Sequence, residues 1–369
     1  MGQRAGGNEG GGSKVLEGVS QVPWESIWLT YEGSAYGCLR ALEPELRLGY
    51  LMGVCGGAFR FFWHREAGPG MCNLLLLGEE VARRTFAPLG YECTYIADYE
   101  RRDPANTEAR YRRLIVESID AGRPVVGLGI LGPPGTNDVE PCIVTGYGEG
   151  GKALYGRSYF QAFGGDFETT ESGYFRVGNW YASCSGLVVP GVKGRAPGRR
   201  EVLREALAWA VKLARGPRAE FVKSVRRDGE RWLHSGLAAY EPLADELLQG
   251  RDEYAATDLE QLWPAVELIM LDGIWLLLTT RENAATFLSG FARDDGPGAE
   301  HLARAAEAYR REAAVCRGAS EWLPLQPSEQ CFDIGKPEVR GKLREVVLAA
   351  KALEEEAVTH MEGALAAQG

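Results

Sequence analysis

The chain has 369 residues, of which 45% are hydrophobic and 25% charged, and its formal net charge is −10. This length supports a buried core and suggests two domains of roughly 100–200 residues each. Lys+Arg number 41 against Asp+Glu 51, so no broad cationic surface is available for a phosphate backbone, which argues against nucleic acid as a partner. Histidine is scarce. His64, His234, His301 and His360 are the four in the chain, and any imidazole chemistry must draw on them.

The eight cysteines stand at 38, 55, 72, 93, 142, 184, 316 and 331. None is spaced as a C-x2-C pair, so the expectation is no structural zinc and no cofactor. Most lie in apolar or Gly-rich surroundings, where a reduced thiol packs as a small hydrophobe. The N-terminal stretch MGQRAGGNEGGGSK lacks the apolar region of a secretory signal and reads as a disordered tail over 1–14. A reduced, cytoplasmic protein is expected. The most apolar segment, 263–278, is interrupted by Glu267 and Asp272, which points to a buried helix rather than a membrane span.

In chain order, helices are predicted over 36–48, 75–88 and 108–121. Strands are predicted over 92–97, 124–131, 141–147 and 153–159, the last two flanking the Gly-rich turn GEGGK, with edge strands at 175–177 and 186–189. The stretch PGVKGRAPGRR carries two prolines, three glycines and four cations and reads as a linker. Beyond it the pattern is helical throughout, over about 199–215, 236–249, 258–289, 299–317 and 338–366. The layout is α+β, with a mixed domain over 15–193 and an all-α domain over 194–369.

One local pattern invites nucleophilic chemistry. In Gly33-Ser34-Ala35-Tyr36-Gly37-Cys38-Leu39, Ser34 reads as a helix N-cap and Cys38 as a residue of the first turn. A helix N-terminus stabilises a thiolate there, which would make Cys38 a nucleophile. The competing reading is packing, since Cys38 stands among apolar neighbours. The Gly-rich pieces 127–135 and 146–151 lack the Lys-Ser/Thr of a phosphate loop and read as a loop and a hairpin turn. His301 and His360 lie on charged helices and read as solvated.

The stretches GCLRAL, YLMGVCGGAFRFFW, GRPVVGLGI and the hairpin CIVTGYGEGGKALYGRSYF, followed by GLAAYEPLADELL, resemble the papain-like peptidase C39 superfamily. Within it they are similar to the group of the butirosin biosynthesis protein H N-terminal domain. The resemblance spans most of 25–250 and implies a papain-like antiparallel sheet followed by a helical domain. It places the nucleophile at Ser34 or Cys38 and the base at Glu140, Pro141 or Cys142. The orienting residue falls near Arg157 or Ser158. None of the base positions is a histidine, so the implied site is degenerate, with His64 or His234 as a substitute. Three functions follow as expectations. One is a cysteine-dependent hydrolase or acyltransferase acting through Cys38, served by an acyl carrier protein. Another is an inactive papain-like domain that binds a small molecule or peptide. The last is an assembly protein that oligomerises through its helical half.

Overall fold

The computed structural model describes residues 12–23, 26–64, 78–97, 103–131, 140–164, 167–216, 218–220, 232–249, 251–294 and 296–368. Cys72, residues 75–77 of a predicted helix, part of the 127–135 loop and most of the predicted tail lie outside them. The tail was expected to run to residue 14, but Lys14–Val15 forms strand β1, with Lys14 opposite Tyr147 and Val15 opposite Gly146.

Helix α1 spans Thr30–Leu42 and stops short of Pro44, which cannot continue the helical hydrogen bonding. Helix α2 follows at Leu48–Cys55 and ends on Gly56 in the left-handed conformation. After β2 (Phe62–Trp63) comes α3 (Glu79–Phe86), then β3 (Tyr91–Ala97). Helix α4 (Glu108–Asp120) begins where predicted, because the Thr107 side chain accepts the Arg110 N–H at 3.2 Å. Strands β4 (Val125–Leu128), β5 (Pro141–Gly148), β6 (Ala153–Arg157), β7 (Glu168–Thr169), β8 (Phe175–Val177) and β9 (Gly186–Lys193) follow. The remainder comprises α5 (Arg199–Arg215), β10 (Arg218–Glu220), β11 (Trp232–Ser235), α6 (Leu237–Leu248), α7 (Leu259–Glu267), α8 (Leu276–Ala292), α9 (Ala299–Gly318) and α10 (Pro337–Ala367). A π-helical stretch, Leu268–Trp275, joins α7 to α8. The fold is mixed α+β.

The described residues form two compact units interleaved in sequence. The first takes residues from 1–21, 34–44 and 92–192, the second from 22–33, 45–91 and 193–369. In the first unit, an antiparallel sheet runs in the order β3-β9-β4-β5-β6-β8-β7, with β1 also pairing β5. The predicted hairpin is present, with Val144 opposite Gly156 and Gly148 opposite Ala153, and a bulge between Val144 and Gly146. Strand β9 was expected at an edge, but it lies between β3 and β4. Its first five residues, Gly186–Pro190, are all buried, as an interior strand requires. One face of the sheet carries Val125, Val144, Leu154 and Leu187, which cluster with Tyr111, Ile115 and Ile119 of α4.

The second unit is mainly helical, but its sequence half is not helical throughout as expected. Strand β11 pairs β10 on one side and β2 on the other, setting His234 opposite Trp63 and Ser235 opposite Phe62. Its partner β2 lies far upstream, so local periodicity carries no trace of the pairing. The segment 259–292 is long and apolar enough to cross a bilayer by length and composition, yet 72% of its apolar window is buried inside the protein.

An arginine sits fully buried in this unit. Arg281 Nε lies 2.7 Å from Glu354 Oε2 and 3.5 Å from Glu312 Oε1, and Nη1 donates to the Ala58 carbonyl at 2.9 Å. The Tyr240 hydroxyl donates to Glu312 Oε1 at 2.7 Å. Burial and the neighbouring Glu354 charge push the Glu312 carboxyl well above the usual range. One cation therefore serves two buried acids on α9 and α10, and removing it strands them. Arg281→Leu should lower the unfolding free energy by about 3–5 kcal/mol in a denaturant titration, the usual cost of leaving a buried charge unpaired. A loss below about 1 kcal/mol would show that the cluster is not a tie between these helices.

Candidate functional site

Helix α1 begins at Thr30, six positions before the predicted helix. Ser34 is therefore not an N-cap and Cys38 is not in the first turn. The GSAYG run reads as a cap because its residues are small, but here smallness serves close packing. A Cβ on Gly37 would lie 2.3 Å from Ile143 Cδ1 of β5 and 2.7 Å from the Ser20 carbonyl oxygen. The helix thus rests directly on the sheet strand, and Ser34 and Cys38 on that helix are fully buried.

Ser34 is fully buried. Its hydroxyl donates to the Pro141 carbonyl oxygen at 3.3 Å and accepts from Gln21 Nε2 at 3.3 Å. The other end of that amide, Gln21 Oε1, is buried with no hydrogen-bond partner. Sequence reasoning did not single out Gln21, and no motif marks it.

Cys38 is 0% exposed, and burial alone pushes its thiol pKa far up. The dipole effect expected of a first-turn cysteine fades within one turn and does not reach it. Cys142, on β5, is also fully buried. Its thiol is raised well above the ordinary value, first by burial, then by Cys184 and Cys38, with Glu140 adding to the rise. Cys184 is a third buried thiol of this neighbourhood that the sequence reading did not connect to the site.

The positions that the resemblance assigns to the base hold an acid, a proline and a thiol in place of an imidazole. A protonated imidazole stabilises a thiolate, whereas the buried Glu140 carboxyl works against one at Cys142. The Glu140 carbonyl accepts the Gly129 N–H at 3.1 Å, which fixes the chain entering β5. None of the four histidines falls in the sequence of the first unit. His64 and His234 belong to the second, in and beside the β2–β11 pair.

At the orienting position, Ser158 caps a short helical turn. Its hydroxyl accepts the Phe160 N–H at 3.1 Å, and Gln161 Oε1 accepts the Ser158 N–H at 3.0 Å. Arg157 donates to the Gly173 and Ser172 carbonyls at 2.5 and 2.8 Å and lies over the Tyr174 ring. Both side chains hold the loop after β6. The structure thus brings Ser34 and Cys38 of α1 to the start of β5, while Cys142 faces the α4 side of the sheet and Ser158 is committed to a cap. No protein-family model matches the chain, and neither does any curated protein.

The buried thiols set a pH dependence. A thiol in the unfolded chain ionises near pH 8.5, while Cys38 and Cys142 stay protonated in the folded protein well above that. Below about pH 8 both states carry these protons, and the thiols make no pH-dependent contribution. Above it the unfolded chain releases protons that the native state keeps, so stability falls as pH rises, by up to about 1.4 kcal/mol per pH unit for each thiol. Denaturant midpoints measured from about pH 7 to 10 should decline, and less steeply in Cys38→Ala. Equal slopes in both proteins would contradict a strongly raised Cys38.

Proposed function

We propose that the first unit is a papain-like, peptidase C39-like domain, similar to the butirosin biosynthesis protein H N-terminal group, that binds a small molecule or peptide and does not use its cysteine as a nucleophile. The observation that carries this reading is Cys38: the resemblance puts a nucleophile at the start of the helix, whereas Cys38 lies well inside α1, wholly buried, with its thiol pushed up by burial. Acyl transfer needs a thiolate, and a base to take and return its proton. General acid–base assistance is worth typically 10²–10⁴-fold, and the position assigned to the base offers Glu140, Pro141 and Cys142 instead.

Binding is supported at the same contact. Gln21 Oε1 is a buried acceptor without a donor, a state that costs about 1–3 kcal/mol. A ligand presenting an amide or amine N–H relieves that cost. Gln21 Nε2, Ser34 and the Pro141 carbonyl form a fixed polar line behind it. Amide-bearing molecules are the class that a relic of peptide chemistry would retain.

The test treats the native protein with iodoacetamide between about pH 5 and 9 and maps the labelled cysteines. Cys38 should label more slowly than a free thiol across the range. Fast labelling near pH 6, abolished in Cys38→Ala, would overturn the binding reading and establish an activated nucleophile, as a hydrolase or acyltransferase requires. In parallel, native mass spectrometry should show a bound small molecule or peptide on the wild type that is diminished in Gln21→Leu. Wild-type protein with no bound mass would count against the binding reading.

A further inference from the structure

The second unit holds a pair of histidines outside everything described above. His301 stands in the first turn of α9 and His360 near the end of α10, and their Nδ1 atoms approach to 3.3 Å. The rings are tilted at 49°, with centroids 5.5 Å apart. His301 is exposed and His360 partly so, hence the pair is open to solvent.

Two features make this more than a chance contact of solvated side chains. The first is Gly363. A Cβ there would fall 2.5 Å from His301 Cε1 and 2.6 Å from its Nδ1, so the ring lies directly on the backbone of α10. Glycine inside a helix costs about 1 kcal/mol relative to alanine, and at this position it admits the imidazole. The second is the spacing. An N–H···O hydrogen bond has its mode at about 2.9–3.0 Å, and this contact between two ring nitrogens is longer. Two imidazole nitrogens on one tetrahedral zinc, each 2.0–2.1 Å from it, stand about 3.3–3.4 Å apart.

We infer that His301 and His360 form a two-histidine site for a divalent transition metal of the zinc class, bridging α9 to α10. Imidazole suits zinc, copper and nickel. No group of three or more His, Cys, Asp or Glu able to hold a metal occurs among the described residues, so solvent completes the coordination. The charged groups facing the pair are Glu300, Glu356 and Arg304. Glu300 pairs with Arg304, and Glu356 with Arg311 at 3.2 Å. The two carboxylates lower the cost of bringing a dication to the start of α9, where the helix dipole alone opposes it.

Zinc chloride titrated into the full-length protein near pH 7.5, in a calorimeter, should show one saturable site per chain, weakened near pH 5.5 where protons compete for the imidazoles. His301→Gln and His360→Gln, each checked for unchanged circular dichroism, should each lose that heat. Gly363→Ala retains both ligands but displaces the His301 ring, and should weaken binding. No saturable heat in the wild type would overturn the inference. So would zinc binding that survives either histidine substitution, which would assign the metal to other side chains.

Discussion

The first unit depends on how closely α1 approaches β5. Position 37 carries no side chain, because a Cβ there would sit within 2.3 Å of Ile143 and within 2.7 Å of the Ser20 carbonyl. That contact encloses Ser34 and Cys38 and sets them against the start of β5, where Pro141 and Cys142 stand. Removal from water follows, and with it the protonation of the thiol. A thiolate in such a place would have to be compensated by a nearby cation or by hydrogen-bond donors. The acidic neighbour at Glu140 raises the Cys142 thiol further rather than lowering it. The packing that buries Cys38 therefore also denies it the electrostatics of an activated thiol.

The two units settle buried polarity differently. Around Cys38 the thiols stay neutral, and the polar line of Gln21, Ser34 and Pro141 ends in an acceptor with no donor. In the helical unit Arg281 remains charged and is answered by Glu312 and Glu354, with Tyr240 adding hydrogen bonds. Each arrangement leaves buried polar atoms without a hydrogen-bond partner, Gln21 Oε1 in the first and Arg281 Nε and Glu312 Oε2 in the second.

Much of the fold was legible in the sequence where local chemistry dictates it. Thr107 caps α4 at the predicted boundary, the Gly-rich turn joins β5 to β6, and α5 spans the predicted 199–215. The misplaced start of α1 has a specific cause: Gly33, Ser34 and Gly37 look like a turn and cap, yet they lie inside the helix. Small residues mark both helix starts and close packing, and one sequence does not separate the two. The β2–β11 pairing, the interior place of β9 and the His301–His360 contact are all non-local, so no periodicity reports them. For the candidate site, the sequence offered Ser34, Cys38, Glu140 and Cys142 through resemblance. It did not reveal their burial, nor Gln21 and Cys184 beside them.

The central claim is that Cys38 is a neutral, buried thiol. Thiolate absorbance near 240 nm, followed from about pH 5 to 10 in wild type and in Cys38→Ala, measures this directly. The account expects the two curves to superimpose up to about pH 9, because Cys38 contributes no thiolate in that range. A step below about pH 7 in the wild type that disappears in Cys38→Ala would contradict it.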